Sequence, residues 1–190
     1  MKKLIITILS AGLALTTLTG CSETPNMGMT YQSGDGTVTE FQAMTRPTPV
    51  RWGGIANDGL PISSENLSGV ITVLNFWYAA CVACRVETPD LVALEKEFAG
   101  KAQFVGVNVR DSAETANAFK RNFNVNFPSV MDASTGQVVL AFTGIVTPSA
   151  VPTTLVIDRS GRVSARILGV ADKETLRALI KTVYDEAMAD

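Results

Sequence analysis

The chain has 190 residues, of which 46% are hydrophobic and 18% charged; this describes one globular domain with appendages and excludes a disordered chain. A net charge of −2, with no basic run beyond Lys2-Lys3, leaves no electrostatic footprint for nucleic acid. There is no histidine, which removes His-based triads, His-ligated haem and the commonest zinc sites, and no cofactor or metal is expected.

Lys2 and Lys3 open an apolar stretch from Leu4 to Leu18, followed by Leu18-Thr19-Gly20-Cys21. A charged start, a short apolar run and small residues before a cut predict a secretory signal over residues 1–20. The run is shorter than a membrane-spanning helix needs. Leu-Thr-Gly-Cys also resembles a bacterial lipobox, which implies that Cys21 is diacylated and becomes the mature N-terminus; two acyl chains suffice for stable anchoring. The alternatives are an uncleaved anchor and a plain signal with an incidental Cys. The lipoprotein reading places the domain outside the cytoplasm, where protein disulfides persist.

Residues 21–49, rich in Ser, Thr, Gly and Pro, read as a tether, with a short strand over Val38–Phe41. The domain is expected over 50–190. A small hairpin spans 55–62, turned by Asn57-Asp58-Gly59. Ser63 and Ser64 can cap a helical turn before Gly69. Val70–Phe76 is a continuous apolar run, the pattern of a buried strand. A helix follows from about Cys84 to Phe98, stopped by Gly100, with Pro89 expected to kink it. Gln103–Val109 is the next strand, and Ser112 starts a helix with Ala113, Ala116, Phe119 and Phe123 at helical spacing. Phe127–Met131 is a short strand and Gln137–Phe142 a short helix. Thr153–Ile157 and Val163–Leu168 are strands joined by Asp158-Arg159-Ser160-Gly161. Asp172 caps a last helix with Leu176, Leu179, Ile180 and Val183 inward. Alternation of strands and helices, closing on a hairpin and a helix, predicts an α/β domain with a mixed sheet covered by helices.

The chemistry concentrates at Cys81-Val82-Ala83-Cys84, between a buried strand and a helix. Cys81 falls at the helix N-terminus, where free N–H groups and the macrodipole favour a thiolate. Cys84 lies one turn in, within reach of the first sulfur. The pair can therefore attack a partner disulfide through Cys81, expected to be the accessible sulfur, and resolve the mixed disulfide through Cys84, expected to be shielded. Half a zinc site is the poorer reading, because no second Cys pair and no His are present. Haem attachment requires His where Arg85 stands. An inert structural disulfide closing a tiny loop is the remaining alternative.

Asn75-Phe76-Trp77-Tyr78-Ala79-Ala80-Cys81-Val82-Ala83-Cys84-Arg85-Val86-Glu87-Thr88-Pro89 resembles the active-site segment of TlpA/ResA-type thioredoxin-like proteins. Phe104–Val109 resembles the family's next strand and Val151-Pro152-Thr153-Thr154 its cis-proline loop. The resemblance covers about residues 50–188 and is particularly close to lipid-anchored actinobacterial members. It implies a thioredoxin-like fold with an N-terminal β-hairpin and a central α/β insertion, and a redox disulfide between Cys81 and Cys84. It further implies a substrate groove bounded by Val151 and Pro152, with Trp77 packed beside it, and an acid–base role for Glu87, one turn beyond Cys84. Asn75 stands where cytoplasmic thioredoxins carry a buried Asp, which leaves Glu87 as the substitute. The sequence departs from the family at Ala80, where an aromatic residue is usual, and at Ala83, where proline is usual; both positions bear on sulfur pKa values and potential.

The function expected is thiol–disulfide exchange with exported proteins at the outer face of the membrane. Reduction of apocytochrome c cysteines to thiols is one family role, oxidation or isomerisation the others, and a membrane electron donor is a possible partner. Two alternatives stand beside it. One is a redox-inactive binding lipoprotein of the same fold. The other is a peroxiredoxin-like peroxidase, which requires Thr where Tyr78 stands.

Overall fold

The computed structural model describes residues 29–32, 37–147 and 150–189. The expected signal and Cys21 lie outside the described residues. In chain order the elements are β1 (Met29–Gln32), β2 (Val38–Phe41), a 3-10 turn (Ala43–Thr45), β3 (Gly53–Ile55), β4 (Pro61–Ser63), β5 (Ile71–Trp77), α1 (Val82–Glu97), β6 (Ala102–Asn108), α2 (Ala113–Phe123), β7 (Ser129–Met131), α3 (Gln137–Ala141), β8 (Thr153–Ile157), β9 (Val163–Leu168) and α4 (Lys173–Ala189).

Among the described residues, seven strands form one mixed sheet in the order β1-β2-β9-β8-β5-β6-β7, and β3 and β4 form a separate hairpin. Every residue of β5 is buried, because it sits between parallel β6 and antiparallel β8 with both faces covered. On one face Leu91 and Leu94 of α1, with Phe98 at its C-cap, meet Leu176, Ile180 and Val183 of α4 over Ile71, Val73 and Phe104. On the other, Phe76, Leu74 and Val105 pack under Val138 and Phe142 of the α3 region and under Trp52. Each such fully buried side chain contributes roughly 1.5–3 kcal/mol. This is the thioredoxin-like α/β arrangement, with the β3–β4 hairpin and the β7–α3 insertion in place.

The punctuation residues act as their chemistry dictates. Ser112 Oγ accepts from the Thr115 amide at 3.4 Å and Asp172 Oδ1 from the Thr175 amide at 2.9 Å, capping α2 and α4. Asp158 Oδ1 accepts from the Ser160 and Arg162 amides and closes the β8–β9 turn. Helix α1 continues through Pro89 to Glu97; proline has no N–H for the Arg85 carbonyl, and that residue is exposed.

The fold begins earlier than residue 50. β2 pairs with β9, placing Val38 opposite Ile167 and Glu40 opposite Ala165, and Phe41 is buried. Arg46 then reaches two elements at once: its guanidinium donates to Asp158 Oδ2 at 3.1 Å and to Glu186 of α4 at 2.7 Å. The tether reading for residues 38–49 is thus replaced by a strap joined to the sheet edge and to the last helix. The short strand over Val38–Phe41 was legible in the sequence; its docking to the sheet was not, because the strap is held by backbone pairing and one buried cation. Arg46→Ala is expected to destabilise the fold by about 2 kcal/mol, since buried Asp158 keeps only Arg162 as a cationic partner. Urea unfolding checks this, and a midpoint equal to wild type would show that the strap carries no stability.

Candidate active site

Cys81 and Cys84 form a disulfide at the junction of β5 and α1. Strand β5 ends at Trp77 and the chain turns through Tyr78, whose carbonyl accepts from the Cys81 amide at 3.1 Å. Cys81 is the N-cap of α1: its Sγ accepts from the Cys84 amide at 3.0 Å. That amide is one of the free donors at a helix start, so it stabilises negative charge on Cys81 sulfur and not on Cys84. The expected contrast in exposure is smaller than the sequence suggested: Cys81 is 4% exposed and Cys84 1%. Both belong to a small buried cluster with Trp77, Ala116 and Phe119, against which Tyr78, Ala79, Ala83 and Val151 pack. Cys81 nevertheless lies between exposed Ala80 and Val82, whereas Cys84 faces inward.

The Val151–Pro152 bond is cis, and Pro152 is buried. The Val151 carbonyl oxygen lies 3.9 Å from Cys81 Sγ. Thr153 Oγ1 donates to the Ala150 carbonyl, and the Gly169 amide donates to the Pro152 carbonyl, tying this loop to the end of β9. Around the disulfide the surface is apolar: Val82 is 76% exposed, Val86 63% and Val170 46%.

Glu87 is not a solvated helix residue. It is 1% exposed; Oε1 accepts from Asn75 Nδ2 at 2.8 Å and Oε2 from the Ala171 amide at 2.8 Å. Asn75 donates its second N–H to Thr154 Oγ1 at 3.0 Å. Burial pushes the Glu87 carboxyl up to about 7, and the hydrogen bonds from Ala171 and Asn75 oppose that rise. The group is therefore poised to take or give a proton near neutral pH, on the helix face it shares with Cys84.

Trp77 supports the site from behind and is itself 4% exposed. Its ring packs 4.6 Å from Phe119 and its Nε1 donates to Ser129 Oγ at 3.3 Å. Gly106 leaves room for this: a methyl there would overlap Ser129 Oγ and come within 2.7 Å of Trp77 Nε1. Arg85 lies over the Phe119 and Phe123 rings at 5.8 and 5.1 Å, a cation–π shelf beside the disulfide.

One part of the site was missed in the sequence. Asp111 Oδ2 accepts from the Ala79 amide at 2.7 Å and from Asn108 Nδ2 at 2.7 Å, while Asn108 Oδ1 accepts from the Asp111 amide. This pair holds the turn before Cys81. Its local signal is the Asn108-x-x-Asp111 spacing of a side-chain turn at a strand end; the link to Ala79 is a long-range contact.

The geometry has known relatives. The profile described as AhpC/TSA family matches residues 39–166. The chain is 34% identical over 113 residues to thiol-disulfide oxidoreductase ResA of Bacillus subtilis, covering 59% of this chain and 60% of that protein. Among solved structures it is similar to a secreted thiol-disulfide isomerase from Corynebacterium glutamicum, with a TM-score of 0.73 and 28% identity over 83% of this chain and 99% of that one. It is also similar to a DsbF homologue from Corynebacterium diphtheriae, with a TM-score of 0.70 and 28% identity over 80% and 96%.

Proposed function

The chain belongs to the AhpC/TSA family and is a thiol–disulfide oxidoreductase with a Cys-x-x-Cys redox disulfide, and from that premise we propose that it exchanges disulfides with exported proteins while lipid-anchored outside the cytoplasm. The observation that carries the reading is the Cys84 amide donating to Cys81 Sγ at the start of α1, with the Val151 carbonyl alongside.

In the reduced protein the Cys81 thiolate attacks one sulfur of a partner disulfide. The partner's S–S bond breaks, its second sulfur leaves as thiolate, and a mixed disulfide forms. Cys84 then loses its proton and attacks Cys81 Sγ, releasing the partner's other thiol and restoring Cys81–Cys84. Two electrons pass from this protein to the partner, and the reverse sequence oxidises a dithiol. Glu87 is the proposed acceptor of the Cys84 proton, with Asn75 and the Ala171 amide fixing its carboxylate. Val151 and Pro152 are the proposed edge against which the client backbone lies, and the apolar rim of Val82, Val86 and Val170 suits unfolded polypeptide. The oxidised cysteine pair of apocytochrome c is one proposed client, and in that reductive direction a membrane thiol donor recharges Cys81 and Cys84.

Insulin reduction by the detergent-solubilised full chain, in the presence of a dithiol, tests the activity. Turnover well above the dithiol alone is expected, with no peroxide consumption, because Tyr78 stands where a peroxidatic cysteine would need Thr. Peroxide turnover without insulin reduction would replace this reading by the peroxidase one. Lipid attachment at Cys21 is checked separately. Cys21→Ala is expected to lower the mature mass by the lipid and release the protein from the membrane fraction; an unchanged mass and distribution would remove the anchor.

A further inference from the structure

The turn that leads into the attacking sulfur carries two guanidiniums, each stacked on aromatic side chains. Arg110 lies over the Tyr78 ring at 4.3 Å, and the Tyr78 carbonyl accepts from the Cys81 amide. Arg85, whose amide donates to the Cys81 carbonyl, stacks on Phe119 and Phe123 and donates from Nη1 to the Ala79 carbonyl at 3.3 Å. Both arginines are exposed, and among the described residues neither forms an ion pair. Asp111, the carboxylate bound to this turn, is committed to the Ala79 amide and to Asn108 Nδ2. Ring stacking uses the flat face of a guanidinium and leaves its N–H edge free for a carboxylate. It also fixes a long side chain before any partner arrives, so less conformational entropy is lost on binding.

Resting on the reading that the protein exchanges disulfides with exported polypeptide, we infer that Arg85 and Arg110 select its clients, favouring segments with Asp or Glu beside the reacting cysteine. A client cysteine joined to Cys81 Sγ brings its chain neighbours to the Tyr78–Cys81 turn, where both guanidiniums stand. An acidic side chain there gains a charge-assisted hydrogen bond from an arginine N–H edge, and a lysine meets like charge. The rim of Val82, Val86 and Val170 carries no charge and does not offset this choice. The chain as a whole has a net charge of −2, so the preference comes from these two groups and not from the overall field.

The test is a single-turnover comparison with the full chain, solubilised in neutral detergent and reduced with dithiothreitol that is then removed. Three peptides carry the same Cys-Gly-Ser-Cys disulfide, flanked on both sides by Glu-Glu, Ser-Ser or Lys-Lys. Each turnover moves two electrons from the Cys81 and Cys84 thiols to the peptide, closing the protein disulfide and opening the peptide's; acid quenching and thiol trapping read both. Rates are taken relative to each protein's own rate with hydroxyethyl disulfide, an uncharged oxidant, so that differences in sulfur reactivity cancel. At low salt the Glu peptide is expected to react about tenfold faster than the Lys peptide, with the Ser peptide between them. The ratio is expected to shrink in about 0.5 M salt. It is also expected to fall to about twofold when Arg85→Gln and Arg110→Gln are combined. Equal relative rates for the Glu and Lys peptides in the wild type, or a ratio that survives in the double variant, would overturn the inference and leave polypeptide exchange standing. Loss of the ratio in phosphatidylglycerol vesicles would overturn it too, by assigning the guanidiniums to lipid headgroups. Turnover of hydroxyethyl disulfide with none of the peptides would remove the polypeptide reading itself, and the inference with it.

Discussion

Cys84→Ser is expected to turn the protein into a trap. The variant keeps the sulfur that attacks and loses the one that resolves, so mixed disulfides with clients accumulate and catalytic reduction of insulin disappears. The assignment follows from the N-cap of α1. The Cys84 backbone amide points at Cys81 Sγ from 3.0 Å, and this amide survives the substitution. A thiolate at Cys81 thus keeps both its hydrogen bond and its place at the positive end of the helix. Cys81→Ser removes that thiolate and is expected to give neither trapped clients nor turnover, because Cys84 lies a full turn inside the helix, away from the N-cap position where the free amide stabilises a thiolate. Non-reducing gels of both variants, expressed in an oxidising compartment, make the comparison. Trapping by Cys81→Ser and not by Cys84→Ser would reverse the roles. Trapping by neither, with a wild type inactive on insulin, would favour a protein that binds without exchanging.

Glu87→Gln is expected to change both the pH dependence of stability and that of exchange. In the folded oxidised protein the carboxyl holds its proton up to about 7, against 4.5 for the ordinary group. Between those values the folded state binds a proton that the unfolded state has released. Stability therefore falls as pH rises from about 4.5 through about 7, and is level on either side of that window. The total loss is about 3 kcal/mol. Gln cannot ionise, so the slope vanishes. It also offers one oxygen to two donors, Asn75 Nδ2 and the Ala171 amide, which costs about 1 kcal/mol at every pH. The variant is thus expected to be less stable than wild type at pH 5 and more stable at pH 8. Denaturant unfolding at the two pH values reads the crossing, and parallel curves would show that Glu87 does not titrate in the window. For exchange, loss of a proton acceptor predicts a fall of about 100-fold near neutrality and loss of the limb near pH 7 in the rate profile. A rate profile identical to wild type would demote Glu87 to a structural residue.

Much of this architecture is legible along the chain because its signals are local. The apolar run before Cys81 reads as a buried strand, and Ser112 and Asp172 announce helices through the amide that each side chain caps. Asp158-Arg159-Ser160-Gly161 announces a turn, because the aspartate accepts from amides two and four residues on. The two cysteines, their spacing and the strand that precedes them carry the redox chemistry on the same grounds. The resemblance extended this to the cis bond before Pro152 and to Glu87, neither of which has a local signature.

Other features were decided only by contacts between distant segments. Residues 38–46 look in sequence like tether carrying one short strand, Val38–Phe41, and only pairing with β9 and the reach of Arg46 to Asp158 and Glu186 make them part of the domain. Glu87 could have been a solvated helix residue; the closing of α4 and its preceding loop over α1, which brings the Ala171 amide to Oε2, buries it and raises its pKa. The covering of Cys81 likewise involves Val151, seventy residues away in the chain, whose carbonyl oxygen lies 3.9 Å from its sulfur. Helix starts, turns and cysteine spacing depend on backbone groups a few residues apart, so the sequence by itself determined them. Burial, and with it the charge state of a carboxylate, depends on what the rest of the chain brings to cover a side chain, and that is a property of the assembled sheet and helices alone.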